Sequence, residues 1–237
     1  MNVCLLMMGG SGTRFGGERP KQFVLVDDMP VFAHILSGLE AAGCVDRIIL
    51  VTHPEWLDDT GAWARRLNAQ KVFAVVAGGE NRSESVRNGL EKAAEITSAD
   101  DVVMLHDATH PYVDVAGIRE LAAAAREYGG ATLGQRQYDT CYRVDEDDML
   151  VEVVPRRYFV SGASPEAFLF GKIYPLYEGA SREELATMTS AGAIALAHGI
   201  RMKVCTLHTI NLKLTYPEDL ELFRRAPDYF IGRMDGD

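Results

Sequence analysis

Short apolar, β-branched runs that alternate with helix-patterned stretches restrict this chain to one kind of architecture. Candidate strands lie at 3–8, 47–52, 71–77 and 101–106, and candidate helices at 31–42, 55–67, 83–95 and 115–128. Alternation at this spacing is the pattern of parallel strands joined by crossover helices. At 237 residues the chain can bury one substantial core, so a single α/β domain with an excursion is expected rather than two full domains. In such an open sheet, ligands collect where loops leave the carboxyl ends of the strands. The loops at 9–21, 78–82 and 107–111 sit there.

The alternation is interrupted by residues 138–161, which read as extended segments around the acidic turn Asp145-Glu146-Asp147-Asp148. An excursion rich in Tyr, Val and Arg cannot bury a core alone and is expected to pack on something else, a second subunit being the candidate. The domain then resumes with a helix at 190–198, a strand at 201–207 and a closing helix from Pro217.

The first loop carries the most chemistry. In LLMMGGSGTRFGGERPKQ (5–22), an apolar strand runs into Gly9, Gly10, Ser11, Gly12, Thr13, Gly16 and Gly17, with Arg14, Arg19 and Lys21 interspersed. Glycine and serine positions let the backbone approach a ligand and turn N–H groups toward it, while fixed cations neutralise it. The implied ligand is a polyphosphate; the alternative is that these cations are solvated loop charges. A Walker loop requires Gly-Lys-Ser/Thr, whereas Lys21 lies between Pro20 and Gln22. A dinucleotide fingerprint started at Gly10 and Gly12 places Phe15 where its third glycine belongs. G-x-G-T-R followed closely by P-K-Q instead resembles the signature of nucleotidyltransferases that join a nucleoside monophosphate to a sugar phosphate.

Composition narrows the partners. With 34 acidic against 24 basic residues, the formal charge of -10 disfavours a broad nucleic-acid footprint and makes the cation cluster in one loop a local feature. The first apolar run ends at Met8, far short of the ~20 residues needed to span a bilayer, and no charged leader precedes it. A cytoplasmic protein without membrane association is expected. Cys4, Cys44, Cys141 and Cys205 form no C-x-x-C pair and the histidines no H-E-x-x-H motif, so neither structural zinc nor disulfides are expected.

Two further clusters fall at strand ends. In Gly78-Gly79-Glu80-Asn81-Arg82-Ser83 the glycines permit close contact with a ring or phosphate, and Ser83 is a candidate helix N-cap. In His106-Asp107-Ala108-Thr109-His110-Pro111 the Asp107 carboxylate is placed to hold a magnesium ion bridging nucleotide phosphates, or else to cap its loop through an Asx turn. His110 is either functional or a packed loop histidine.

Taken in order, G-G-S-G-T-R, P-K-Q, G-G-E-N-R-S-E-S-V, H-D-A-x-x-P, the pair Asp139-Thr140, S-P-E-A-F and N-L-K-L-T-Y-P-E-D-L resemble 2-C-methyl-D-erythritol 4-phosphate cytidylyltransferases and the related D-ribitol 5-phosphate cytidylyltransferases over nearly the whole chain. The resemblance implies a Rossmann-like three-layer α/β nucleotidyltransferase fold with a protruding β-arm that interlocks two subunits. It also implies Mg2+-dependent transfer of CMP from CTP to a small polyol phosphate. Arg14 and Lys21 would bind the CTP phosphates and stabilise the transition state, with Gly9, Gly10, Ser11, Gly12 and Thr13 forming the phosphate loop. Gly78, Gly79 and Ser83 would contact the cytidine, and Asp107 the metal and substrate. Arg157, in the arm, would reach the partner's site; Lys213 would position the acceptor phosphate, with Thr140, Ser164, Thr189 and His110 on the acceptor side.

The chain departs from the family's pattern on that acceptor side. His110 stands where the family usually has an arginine, Ser190 and Ala191 replace acidic residues after the threonine, Ile210 precedes Asn211 where an acid is common, and Glu166 replaces a glutamine. The texture around Glu55-Trp56, the E-N-R-S-E-S run and the missing acid before Asn211 resemble the ribitol-phosphate branch. D-ribitol 5-phosphate is therefore the expected acceptor, with 2-C-methyl-D-erythritol 4-phosphate the alternative. A noncatalytic nucleotide-binding homologue is a third reading, opposed by the joint retention of Arg14, Lys21, Asp107, Arg157 and Lys213.

Overall fold

Runs such as NVCLLMM and RIILVT carry no polar alternation, which suits strands covered on both faces. The computed structural model describes residues 1–9, 20–188 and 190–231. Its strands are β1 (Asn2–Met8), β2 (Leu25–Val26), β3 (Met29–Pro30), β4 (Arg47–Thr52), β5 (Val72–Ala77), β6 (Val102–Asp107), β7 (Gly129–Arg136), β8 (Cys141–Val144), β9 (Leu150–Val154), β10 (Val160–Leu169) and β11 (Arg201–Thr206). One sheet contains seven of them in the order β11-β7-β10-β6-β1-β4-β5. Neighbours pair in parallel except at β10, which runs antiparallel to both β6 and β7. The carboxyl ends of β1, β4, β5, β6, β7 and β11 therefore share one edge with the start of β10.

The helices are α1 (Val31–Ala41), α2 (Leu57–Arg66), α3 (Arg82–Ala93), α4 (Val115–Tyr128), α5 (Phe170–Glu178), α6 (Arg182–Thr187), α7 (Ala191–Ala197), α8 (Pro217–Arg225) and α9 (Pro227–Ile231). They cover both faces of the sheet, and β1 shows how. Cys4, Leu6 and Met8 enter one core with residues of α1, α4 and α8, whereas Val3, Leu5 and Met7 enter a second with residues of α3, α5 and α7. That split is the two-residue period of a strand buried on both sides. The expected three-layer α/β fold is thus the observed one. Among the described residues, no helix is long and apolar enough to cross a membrane.

The excursion expected at 138–161 is the antiparallel hairpin β8–β9 with its flanks. Its last residues belong elsewhere: Val160 and Ser161 pair with Arg136 and Gln135 in the main sheet. The hairpin exposes Tyr142, Val144, Leu150, Val151 and Val153, more apolar surface than an isolated two-stranded ribbon can bury within itself.

Candidate active site

The shared edge brings together the two ends of one loop and two further loops. The first leaves β1 at Gly9 and returns at Pro20. Of its expected site residues, Gly10, Ser11, Gly12, Thr13 and Arg14 lie outside the described residues, as does Arg19. The two ends of the loop are fixed to the sheet and to the chain's last third. The Gln22 side chain donates to the Met8 carbonyl over 2.6 Å, and Lys21 Nζ donates to the carbonyl of Leu214.

The second loop joins β5 to α3. Asn81, not Ser83, is the N-cap: its Oδ1 accepts from Glu84 N over 2.9 Å. Ser83 is buried one position inside the helix, and its hydroxyl donates to the carbonyl of Met188 at 3.3 Å. Asn81 captured the helix end because an Asx side chain bonds the N–H three residues on. Gly79 lies so close to the helix that an added Cβ would fall 2.3 Å from Glu84 Cβ. Its amide donates to Ser85 Oγ over 3.0 Å.

The third loop leaves β6 at Asp107. Arg82 Nη2 bonds Asp107 Oδ1 over 2.9 Å, which links the second loop to the third. Asp107 therefore uses its side chain in an ion pair rather than in the Asx turn weighed from the sequence. Its carbonyl accepts from His110 N at 2.9 Å and closes the turn. Glu166, on β10, accepts from Gly192 N over 3.1 Å. Burial pushes the Glu166 carboxyl above its ordinary range, with Arg82 opposing and Asp107 adding to the rise.

His110 is 7% exposed, and among the described residues its Nδ1 has no hydrogen-bond partner. Burial pulls its pKa down to about 3; Asp107 opposes this, while His106, Lys213 and Lys21 add to it. The ring is thus a neutral imidazole set among two lysines and a carboxylate. Lys213 is exposed on the segment docked against the same turn, where Leu214 N donates to the Thr109 carbonyl over 2.7 Å.

The structure brings together Lys21, Gly78, Gly79, Asp107, His110, Ser164 and Lys213, with Arg82 added. Ser164 is buried, and its Oγ accepts from Asp107 N at 2.9 Å. Thr189 lies outside the described residues. Thr140 and Arg157 are exposed beside the β8–β9 hairpin, and the Arg157 guanidinium sits 4.7 Å from the centroid of the Tyr158 ring. Among the described residues no hydrogen bond or ion pair joins either to the sheet-edge cluster within the chain.

The donor set also bears on a metal. Among the described residues no three His, Cys, Asp or Glu side chains converge as a cage. A single carboxylate at a strand end suits Mg2+, which keeps water and substrate phosphate oxygens as its other ligands. It does not suit zinc, which requires several protein ligands.

A family model described as 2-C-methyl-D-erythritol 4-phosphate cytidylyltransferase matches residues 3–225. The chain is 32% identical over 224 residues to the 2-C-methyl-D-erythritol 4-phosphate cytidylyltransferase of Thermotoga neapolitana, spanning 94% of this chain and 96% of that one. It is 27% identical over 229 residues to the ribitol-5-phosphate cytidylyltransferase of Streptococcus agalactiae serotype Ia, spanning 96% of each. A crystal structure of 4-diphosphocytidyl-2C-methyl-D-erythritol synthase superposes with a TM-score of 0.77 at 24% identity, covering 96% of this chain and 99% of that one. The synthase from Anaerococcus prevotii also gives 0.77, at 21% identity, covering 96% and 98%. At these identities the structural likeness is one of fold.

Proposed function

Because the chain belongs to the 2-C-methyl-D-erythritol 4-phosphate cytidylyltransferase family, we propose that the sheet-edge cluster transfers CMP from CTP to D-ribitol 5-phosphate and releases pyrophosphate. The protein is a cytidylyltransferase acting on a polyol phosphate; the choice of acceptor is the finer step. The observation that carries the reading is the convergence of Lys21, Asp107, His110 and Lys213 on one turn, with two cations where two anions must meet. Ribitol phosphate is favoured by Ile210 before Asn211 and by the E-N-R-S-E-S run. The 32% identity to the Thermotoga neapolitana enzyme favours 2-C-methyl-D-erythritol 4-phosphate as the second reading.

In the proposed reaction an acceptor phosphate oxygen attacks the α-phosphorus of CTP. The new P–O bond forms as the bond to the β-phosphate breaks, and pyrophosphate leaves with that electron pair. A phosphate monoester has its second pKa near ~6, so the nucleophile is already an anion and no general base is needed. Charge neutralisation and alignment are the remaining requirements. Lys21 and Arg14 would serve the CTP phosphates, Lys213 the acceptor phosphate, and Gly78, Gly79 and Ser83 the cytidine. Bound Mg2+ would neutralise phosphate oxygens, with Asp107 as the protein ligand that holds it.

The proposed assembly is a cytoplasmic homodimer through the hairpin, in which Arg157 acts in the partner's site. Exposed Tyr138, Tyr142, Leu150, Val153 and Tyr158 support a buried role for that arm. Pyrophosphate release with CTP and Mg2+ against ribitol 5-phosphate, methylerythritol 4-phosphate and other polyol phosphates tests the reading. Turnover with ribitol 5-phosphate is expected. Preference for methylerythritol 4-phosphate would transfer the assignment to the second reading, and CTP binding without turnover on any acceptor would favour a noncatalytic homologue.

A further inference from the structure

Tyr112 is not among the residues that face the proposed reaction, yet its fully buried side chain joins the segments that do. Its hydroxyl accepts from Ser164 N over 3.1 Å and donates to Asn211 Oδ1 over 3.2 Å. The Asn211 amide returns to β10, with Nδ2 donating to the Gly162 carbonyl at 3.1 Å. Asn211 lies two residues before Lys213.

The backbone of Tyr112 enters the same circuit. Its carbonyl receives His106 Nε2 at 2.9 Å. Both ring nitrogens of His106 face carbonyls, Nε2 that of Tyr112 and Nδ1 that of Asp107 at 3.2 Å. Nδ1 also lies 3.3 Å from Ser164 Oγ. Ser164 Oγ in turn accepts from the backbone N–H of Asp107 over 2.9 Å. Two chains of contacts therefore meet at Ser164: its Oγ links the Asp107 backbone to His106 and the Tyr112 carbonyl, and its N–H runs to the Tyr112 hydroxyl, Asn211 and the Gly162 carbonyl.

We propose that Tyr112 is a positioning residue, whose phenol hydroxyl holds the segment carrying Lys213 in register with the strand end carrying Asp107. The inference rests on the transferase reading of this site. The mechanical reason is leverage. Lys213 is exposed and its segment, 207–216, contains neither strand nor helix. The segment's two ends are held by Leu207 on Gly134 and His208 on Asp114, and by Thr215 and Tyr216 on Asp219, whereas the stretch around Lys213 is held by Leu214 on Thr109 and on Lys21, and by Asn211 on Tyr112 and Gly162. Loss of the phenol hydroxyl leaves Asn211 Oδ1 without this partner and Ser164 N unpaired in a buried position where water does not replace it readily. The Ser164 hydroxyl in this circuit accepts from the Asp107 backbone N–H and lies against His106 Nδ1.

The test is Tyr112→Phe in the full-length protein, which removes one oxygen and keeps the ring. Hydrogen exchange of the substrate-free protein should be at least tenfold faster within 207–216, at Leu212 and Leu214, and at Ser164, with the central strands β1 and β4 unchanged. With CTP, Mg2+ and whichever of ribitol 5-phosphate or methylerythritol 4-phosphate the parent enzyme uses, kcat should fall about tenfold while KM for CTP stays within twofold. Asn211→Ala should show the same two effects, and the double variant should be no worse than the poorer single one.

Unchanged exchange in 207–216 would overturn the positioning role. Faster exchange with full kcat would overturn its bearing on the reaction, and uniformly faster exchange across the sheet would mark a merely structural role. A parent enzyme silent on every acceptor would sink the transferase reading, while the exchange comparison would still decide whether Tyr112 holds the segment.

Discussion

At the scale of single residues, the site is a contest over a few charges in a half-buried turn. Lys21 has two duties, because its ammonium both faces the turn and holds the Leu214 carbonyl. Lys21→Ala should therefore lower kcat by about 10² or more if the ammonium acts mainly on the developing charge of the transition state. Near-normal turnover would remove it from catalysis. Lys21→Arg, which keeps charge and donor, should recover part of the loss. His110 gives a pH signature. Its folded pKa is about 3 against an ordinary 6.5, so the unfolded chain binds more protons between those values. The contribution of this group to stability should be constant above about pH 6.5 and fall as the pH drops toward about 3, by at most about 1.4 kcal/mol per unit. Urea midpoints at pH 7.5 and 5 check this, and His110→Asn should flatten the decline. Legibility at this scale followed chain locality. Asp107, His110 and Lys213 could be singled out from motifs, but Tyr112 and Arg82 matter through partners 99 and 25 residues away. No local spacing reports such pairings.

At the scale of elements, the phosphate-side loops depend on how closely they approach α3. Asn81→Ala should cost about 1 kcal/mol through loss of the cap, read as a lower melting temperature with a modest rise in KM for CTP. Gly79→Ala is expected to cost about 1–3 kcal/mol by forcing the loop off Glu84, and to weaken CTP binding more than the cap variant does. Equal CTP affinity in both variants would separate the loop from the nucleotide. The strands at 47–52 and the helix at 115–128 are legible to the residue because continuous apolar runs and a 3.6-residue period dominate there. β7 was not legible, since GGATLGQR reads as turn chemistry. Its glycines serve packing instead: a Cβ on Gly134 would meet Val160 Cγ1 at 2.4 Å. β10 hides its strand character behind Gly162, Pro165 and a register shift between Gly162 and Glu166.

At the scale of the whole molecule, the proposed dimer makes predictions that no single chain can satisfy. Removing residues 141–154 in favour of a short turn should leave the sheet folded, give a monomer in sedimentation and abolish most turnover. A dimer that persists would displace the arm from the interface. Arg157→Ala should impair the homodimer, yet heterodimers with a Lys21→Ala subunit should regain activity, because one of the two sites then has both residues intact. No recovery in verified heterodimers would count against action across the interface. The reversed direction of β10 has a consequence for how such a molecule can change. Two parallel neighbours must be joined by a chain that travels back along the sheet, which confines that chain to a covering layer. Because β10 runs against β7, the link between them begins and ends at the same rim as the chemistry. Residues can be added to or taken from that link without disturbing a covering helix, so partner geometry can diverge among descendants of one ancestor while the sheet beneath stays constant.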